Sequence, residues 1–260
     1  DMRFSPDGKR LAFSVDNGKG TDIWVKDLER DTTSRLSFLP GINVAPVWTP
    51  GGDYIVFRSI NPASGMYGVR SDGSGQAQRL ADGKTSLTPF SFSPDGKWLA
   101  VRQRGNHGSA DILTMPVEVD AGRGALKLGK AELFLGTPFE VTGAEFSPDG
   151  RWLAYQSNES GTSEVYVRPF PGPGGRWQIS TGGSAPRWSR NGRELLFLGR
   201  DRRVMAVNYT AKGDSFAAGK PRVWTEARLA ARSNDYELAQ DGKRLAGIVN
   251  DDADIQKPFP

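Results

Sequence analysis

Four arginines and three oxygen-bearing side chains carry most of the chemistry this chain could do. Arg58 and Arg102, with Arg104 and Arg200, would form a cationic rim able to hold an anionic ligand or an acidic peptide through charge-assisted, forked hydrogen bonds. The plainer reading leaves these arginines in water or against nearby carboxylates, where such pairs contribute little. Asn43, Glu140 and Asp235 offer oxygen ligands, the kind that Ca²⁺ prefers. If a cation is bound, these three are its expected ligands, and no other cofactor is expected.

Catalytic constellations are mostly missing. His107 is the single histidine, which excludes a histidine-rich metal site and leaves any Ser–His–Asp arrangement dependent on that one residue. No G-x-S-x-G elbow accompanies it. Asp82-Gly-Lys-Thr85 has the ending of a phosphate-binding loop, but Gln78 stands where the first glycine is needed. There is no cysteine, hence no disulfide framework and no thiolate nucleophile. Asn158-Glu-Ser160 and Asn208-Tyr-Thr210 match the glycosylation triplet, a frequent accidental match.

The elements that must position these residues are written as repeats. Arg58 and Arg102 are separated by the spacing that also separates Gly52 from Gly96. Six segments share one template: Phe4–Phe13, Trp48–Phe57, Phe92–Val101, Phe146–Tyr155, Trp188–Phe197 and Leu238–Gly247. Its core is an aromatic, then Ser-Pro-Asp-Gly, a basic residue, and a short apolar run. Proline presets φ, aspartate bonds its own backbone, and glycine takes the φ > 0 position that closes a hairpin. Periods of this length signal propeller blades of about four strands. The apolar runs after the turn are continuous rather than alternating, as expected for strands covered on both faces.

The F-S-P-D-G-[KR]-x-L-A-[FVY] pattern resembles the PD40 repeat of TolB-type, WD40-like propellers. That resemblance implies an all-β fold, a six-bladed β-propeller of four-stranded antiparallel blades with the last blade incomplete. The expectation is a single domain over 1–260, with blades near 1–37, 44–81, 88–135, 141–181, 184–225 and 233–260. The innermost strand A ends at the aromatic, and strand B follows the turn. Strand C is expected at 22–26, 66–69, 111–115, 164–168 and 204–207, with 254–260 in the sixth. Strand D is expected at 35–37, 79–81, 132–135, 178–180 and 223–225. A Gly-rich inserted loop is expected at 118–130. The chain is expected to be part of a longer one.

One template position alternates in sign. Arg3, Glu145, Arg187 and Glu237 each stand directly before the residue that opens the motif, and are expected to pair between neighbouring blades, since buried charges need partners. The alternative gives Arg187 to a ligand. In the expected propeller the loops after strands B and D share the ligand face, which is where Asn43, Arg58, Arg102, Glu140 and Asp235 would lie.

The net charge of +4 is spread along the chain with no long basic run, which argues against nucleic acid. No apolar stretch reaches the length of a membrane-spanning helix, and no signal pattern opens the chain. The resemblance therefore implies a non-catalytic module binding a protein, peptide or small molecule. Such a module would be the sensor or scaffold region of a larger bacterial protein such as a serine/threonine kinase, in an extracytoplasmic setting. The rivals are a Ca²⁺-dependent lactonase, esterase or phosphotriesterase, and the gating propeller of a prolyl-oligopeptidase-like peptidase.

Overall fold

The computed structural model describes residues 1–83, 86–105, 109–120, 125–230, 236–239 and 241–249. His107, Asp235, Lys84, Thr85 and the strand expected at 254–260 lie outside them. Among the described residues there is no helix. The chain divides into two compact units, Asp1–Pro138 and Phe139–Pro260.

The first unit holds three repeats. Repeat one is β1 (Met2–Phe4), β2 (Arg10–Asp16), β3 (Thr21–Asp27) and β4 (Thr32–Arg35). Repeat two is β5 (Ile42–Trp48), β6 (Tyr54–Ile60), β7 (Gly65–Arg70) and β8 (Gln78–Asp82). Repeat three is β9 (Leu87–Phe92), β10 (Trp98–Arg104), β11 (Ala110–Asp120), β12 (Ala125–Leu128) and β13 (Glu132–Leu135). In the second unit, repeat four is β14 (Val141–Phe146), β15 (Trp152–Ser157), β16 (Glu164–Pro169) and β17 (Trp177–Gln178). Repeat five is β18 (Gly183–Trp188), β19 (Glu194–Gly199), β20 (Arg203–Lys212), β21 (Ser215–Ala218) and β22 (Arg222–Arg228). The described part of repeat six is the hairpin β23 (Tyr236–Leu238) and β24 (Leu245–Gly247). Within each repeat the strands pair antiparallel in succession, except that β13 returns to β11 and β22 to β20, and one parallel bridge, Thr21 to Ile42, joins repeats one and two.

The template serine has a role the sequence reading gave only to its neighbours. In repeat one the Ser5 hydroxyl donates to Asp7 Oδ1 and accepts the Arg10 N–H, while Ser5 N–H donates to the Arg10 carbonyl. Gly8 N–H closes the turn on the Ser5 carbonyl, with φ at 70°. The bonds recur at Ser93, Asp95, Gly96 and Trp98, and at Ser147, Asp149, Gly150 and Trp152. Each serine is buried, so its hydroxyl must be satisfied locally.

Strand A carries a second shared feature. Ala45, Gly143 and Ala185, each three residues before the strand's aromatic, have φ of 55°, 64° and 51°, and the register with strand B slips there. Such a bulge re-aims the strand. Neighbouring repeats are also tied by indoles: Trp48 Nε1 donates to the Arg3 carbonyl at 3.0 Å, and Trp188 Nε1 to the Glu145 carbonyl at 2.9 Å.

Three details differ from the sequence expectation. The outer strand of repeat one runs Thr32–Arg35 rather than over 35–37, because Ser37 is occupied elsewhere. The segment expected as a loop at 118–130 is largely a β-ribbon, with Val117 opposite Leu128 and Val119 opposite Leu126. Leu126 is 1% exposed within the first unit's core, so its burial anchors the ribbon. Repeat five extends in the same way through β20 and β21.

A buried polar lock accounts for Ser37. Asp22, 4% exposed, accepts the Ser37 hydroxyl, which itself accepts Ile23 N–H; Arg35 stands 3.0 Å from the other carboxylate oxygen. In repeat four the same positions are Glu164 and Ser180: Glu164 Oε2 accepts the Ser180 hydroxyl at 2.7 Å and Gly182 N–H at 2.6 Å, and Oε1 accepts Thr162 Oγ1–H. Each lock fastens the start of strand C to the segment just past strand D. Glu164→Gln, which keeps the shape but loses the charge and turns one acceptor into a donor, is expected to lower stability by about 1.5–3 kcal/mol, the range for hydrogen bonds to a charged group. Urea midpoints for wild type and variant check this; equal midpoints would remove the lock from the account of stability.

Candidate functional site

The arginines suggested by the sequence separate into two environments. Arg58 lies near the end of β6, half-buried, and reaches to the next repeat: Nη1 donates to Thr88 Oγ1 at 3.0 Å and Nη2 to Ser86 Oγ at 2.8 Å. Arg102 sits on β10 directly opposite Thr88 of β9, and Arg104 closes the same strand, with its backbone N–H turned to the Ser86 carbonyl. Burial, reinforced by the charges of Arg102 and Arg104, pushes the Arg58 guanidinium down from its ordinary value. Among the described residues no carboxylate lies within ion-pair distance of Arg58 or Arg104.

The two hydroxyls complete this arrangement. Each accepts from Arg58, so its own O–H is left to donate onward. The result is a patch of donors, three guanidinium groups and two hydroxyls. Guanidinium forks match the oxygens of carboxylate and phosphate. The sequence pointed to Arg58, Arg102 and Arg104; it missed Ser86 and Thr88, which stand in a stretch that reads only as loop and strand edge.

Arg200, by contrast, belongs to the second unit and has an acid beside it. Its Nη2 is 3.9 Å from Glu164 Oε1 and 3.3 Å from Thr162 Oγ1, and its stem lies where a Cβ on Gly182 would be. Three of the four arginines expected on the rim therefore cluster within the first unit.

Of the oxygen set, Asn43 and Glu140 fall among the described residues and Asp235 does not. Asn43 is fully buried within β5, where its amide donates to the Leu39 carbonyl and Oδ1 has no hydrogen-bond partner. Its place is inside the sheet, opposite Ser59, not on a rim. Glu140 is exposed, with its backbone N–H bonded to Asn158 Oδ1. Among the described residues no group of three Asp, Glu or His is placed to hold a metal ion.

The sign-alternating position behaves differently from the rim. Arg187 is 1% exposed; Nε donates to Glu237 Oε2 at 2.8 Å and Nη1 to Glu145 Oε2 at 3.2 Å and to the Pro186 carbonyl at 2.8 Å. Its guanidinium lies over the Tyr236 ring. Burial opposes the charge, and the two carboxylates outweigh it, so the guanidinium is held above its ordinary value. Arg3 is half-buried in the first unit, with Nη1 donating to the Met2 carbonyl.

Comparison with known proteins places this geometry. The model of the PD40 family, the TolB beta propeller domain, matches residues 2–128. Residues 2–128 are a TolB-type PD40 β-propeller region. The chain is 27% identical over 166 residues to the uncharacterized peptidase YuxL of Bacillus subtilis, covering 64% of itself and 22% of that protein. It is 37% identical over 90 residues to the Tol-Pal system protein TolB of Nitratidesulfovibrio vulgaris, covering 34% of itself and 20% of the relative. Among solved structures, TolB from Acinetobacter baumannii superposes with a TM-score of 0.63 at 21% identity, covering 85% of this chain and 54% of that one. The chain thus spans about a fifth of the length of these curated relatives. Its described residues include no helix long and apolar enough to cross a membrane.

Proposed function

We propose that this PD40 propeller is a non-catalytic binding module whose ligand presents an anionic group to Arg58, Arg102 and Arg104. The observation that carries the reading is the half-buried Arg58 guanidinium, hydrogen-bonded among the described residues only to hydroxyls and crowded by two like charges. Among the described residues that charge has no counter-ion, and a phosphate or carboxylate would supply one. The setting that fits is the sensor or scaffold region of a larger bacterial protein, a serine/threonine kinase among the candidates, on the extracytoplasmic side.

Calorimetric titration with inorganic phosphate and with acetylated glutamyl peptides tests the site at low and high salt. Arg58→Met is expected to weaken binding at least tenfold, and Arg200→Met to leave it unchanged. Equal loss in both variants, or none in either, would overturn the assignment. Similarity to the peptidase YuxL favours one second reading, a propeller that gates a peptidase domain. Labelling of the full-length protein by a fluorophosphonate probe distinguishes it from the first. A rise in melting temperature with Ca²⁺, matched by bound metal in elemental analysis, would instead favour the hydrolase reading.

A further inference from the structure

The second unit carries a cleft that the arginine cluster does not explain. It has a volume of about 490 Å³ and is bordered by Pro148, Asp149, Arg190, Asn191, Tyr209 and Thr210. One wall is the turn of repeat five, where Arg190-Asn191-Gly192 replaces the template's Pro-Asp-Gly. The opposite wall is the extension of β20 past the end of its partner β19. Pairing between those strands stops at Glu194 opposite Asn208, and Tyr209 N–H makes one last bond to the Arg193 carbonyl.

Beyond that bond the inner edge of β20 pairs with no strand among the described residues, and the Arg151 guanidinium reaches the hairpin at the Gly213 carbonyl. Strand alternation turns the Thr210 and Lys212 backbone groups toward β21, where those residues face Ala217 and Ser215. Ala211 turns its N–H and C=O the other way, into the cleft, alongside the Tyr209 carbonyl. An open edge of this kind is a template for an added strand.

The side chains set what such a strand would carry. Arg190 is exposed and makes no hydrogen bond or ion pair among the described residues. The Asp149 Oδ1 atom is already taken by the Ser147 hydroxyl and Arg151 N–H. The Tyr209 ring is held by stacking on Phe216 at 5.1 Å and by the Trp188 edge at 4.9 Å, so its hydroxyl is fixed in position. Burial, with the Asp149 charge, pushes that phenol up to about 12, which keeps it a donor at physiological pH. Among the described residues the cleft therefore offers a fixed O–H donor, a guanidinium without a partner and an unpaired strand edge.

We propose that this cleft binds an extended peptide segment by strand addition to Ala211, with an acidic side chain of the segment on Arg190. The test uses blocked hexapeptides of β-branched residues around a central Glu, titrated into the intact protein and followed by amide NMR shifts and calorimetry. The Glu peptides are expected to shift the Tyr209–Lys212 amides and to bind at least fivefold more tightly than their Gln counterparts. Arg190→Pro restores the template residue and is expected to erase that preference. Ala211→Pro removes a cleft-facing N–H without breaking a bond to β21, and is expected to weaken binding tenfold or more. Because the anion site of the first unit also takes a glutamate, affinity for the cleft is read from the 209–212 amide shifts, which Arg58→Met is expected to leave unchanged. No amide shift at 209–212 up to millimolar peptide, or equal binding of Glu and Gln peptides, would overturn the proposal.

Discussion

Replacing Arg187 by methionine is expected to cost about 3–5 kcal/mol of stability, the range for breaking a buried ion pair by removing one partner. The loss comes less from the attraction removed than from what remains. Glu145 and Glu237 would keep their negative charges in a site where the arginine is 1% exposed. For a chain of this size the melting temperature should fall by roughly 8–15 °C. Replacing all three residues together by methionine and leucines is expected to recover most of that, since a packed apolar cluster substitutes well for a buried ionic one. Thermal and urea unfolding of the single and triple variants provide the measurement. A single variant as stable as wild type would mean that the cluster is solvated and that Arg187 serves something else.

The second large effect is expected at Trp152. Its side chain, 1% exposed, sits in the second unit's core with Ala154, Val165, Val167 and Trp188. It packs edge-on to Trp177 at 5.5 Å and against Phe216 at 5.2 Å. Trp152→Ala leaves a cavity that these rings cannot close and should cost about 3–5 kcal/mol. Trp152→Phe should cost less, because Nε1 has no hydrogen-bond partner in the native core and the smaller ring removes that buried donor. If the alanine variant unfolds at the wild-type urea concentration, the aromatic cluster is not what holds this unit together.

Much of the architecture was legible because the turn chemistry is local. Proline, aspartate and glycine at fixed offsets specify a hairpin wherever they stand, and the glycines of all six copies have positive φ. Strand C was legible from runs such as 22–26 and 164–168. The ribbons of repeats three and five were not, since Gly122-Arg123-Gly124 and the residues around Gly213 read as loop signals while the burial of Leu126 and Phe216 depends on distant partners. The acid–serine locks were missed for a similar reason: Glu164 and Ser180 are far apart in sequence and each is ordinary alone.

The candidate site was legible by half. Repeat spacing singles out Arg58 and Arg102 as equivalents, but spacing cannot tell which arginine will find a carboxylate. Arg200 does, through Glu164, and Arg58 finds Ser86 and Thr88 instead. Asn43 was expected before or at the start of strand A on the ligand face; the strand begins at Ile42 and Asn43 is buried within it.

The indole bonds between repeats have an evolutionary consequence. Trp48 and Trp188 grip backbone carbonyls, and a carbonyl is present whatever amino acid supplies it. The joint is therefore indifferent to mutation of the side chain on the receiving residue, which is Arg3 in one case and Glu145 in the other. A copied unit inserted beside an older one would dock without any compensating change, and its outer segments could then drift toward new roles.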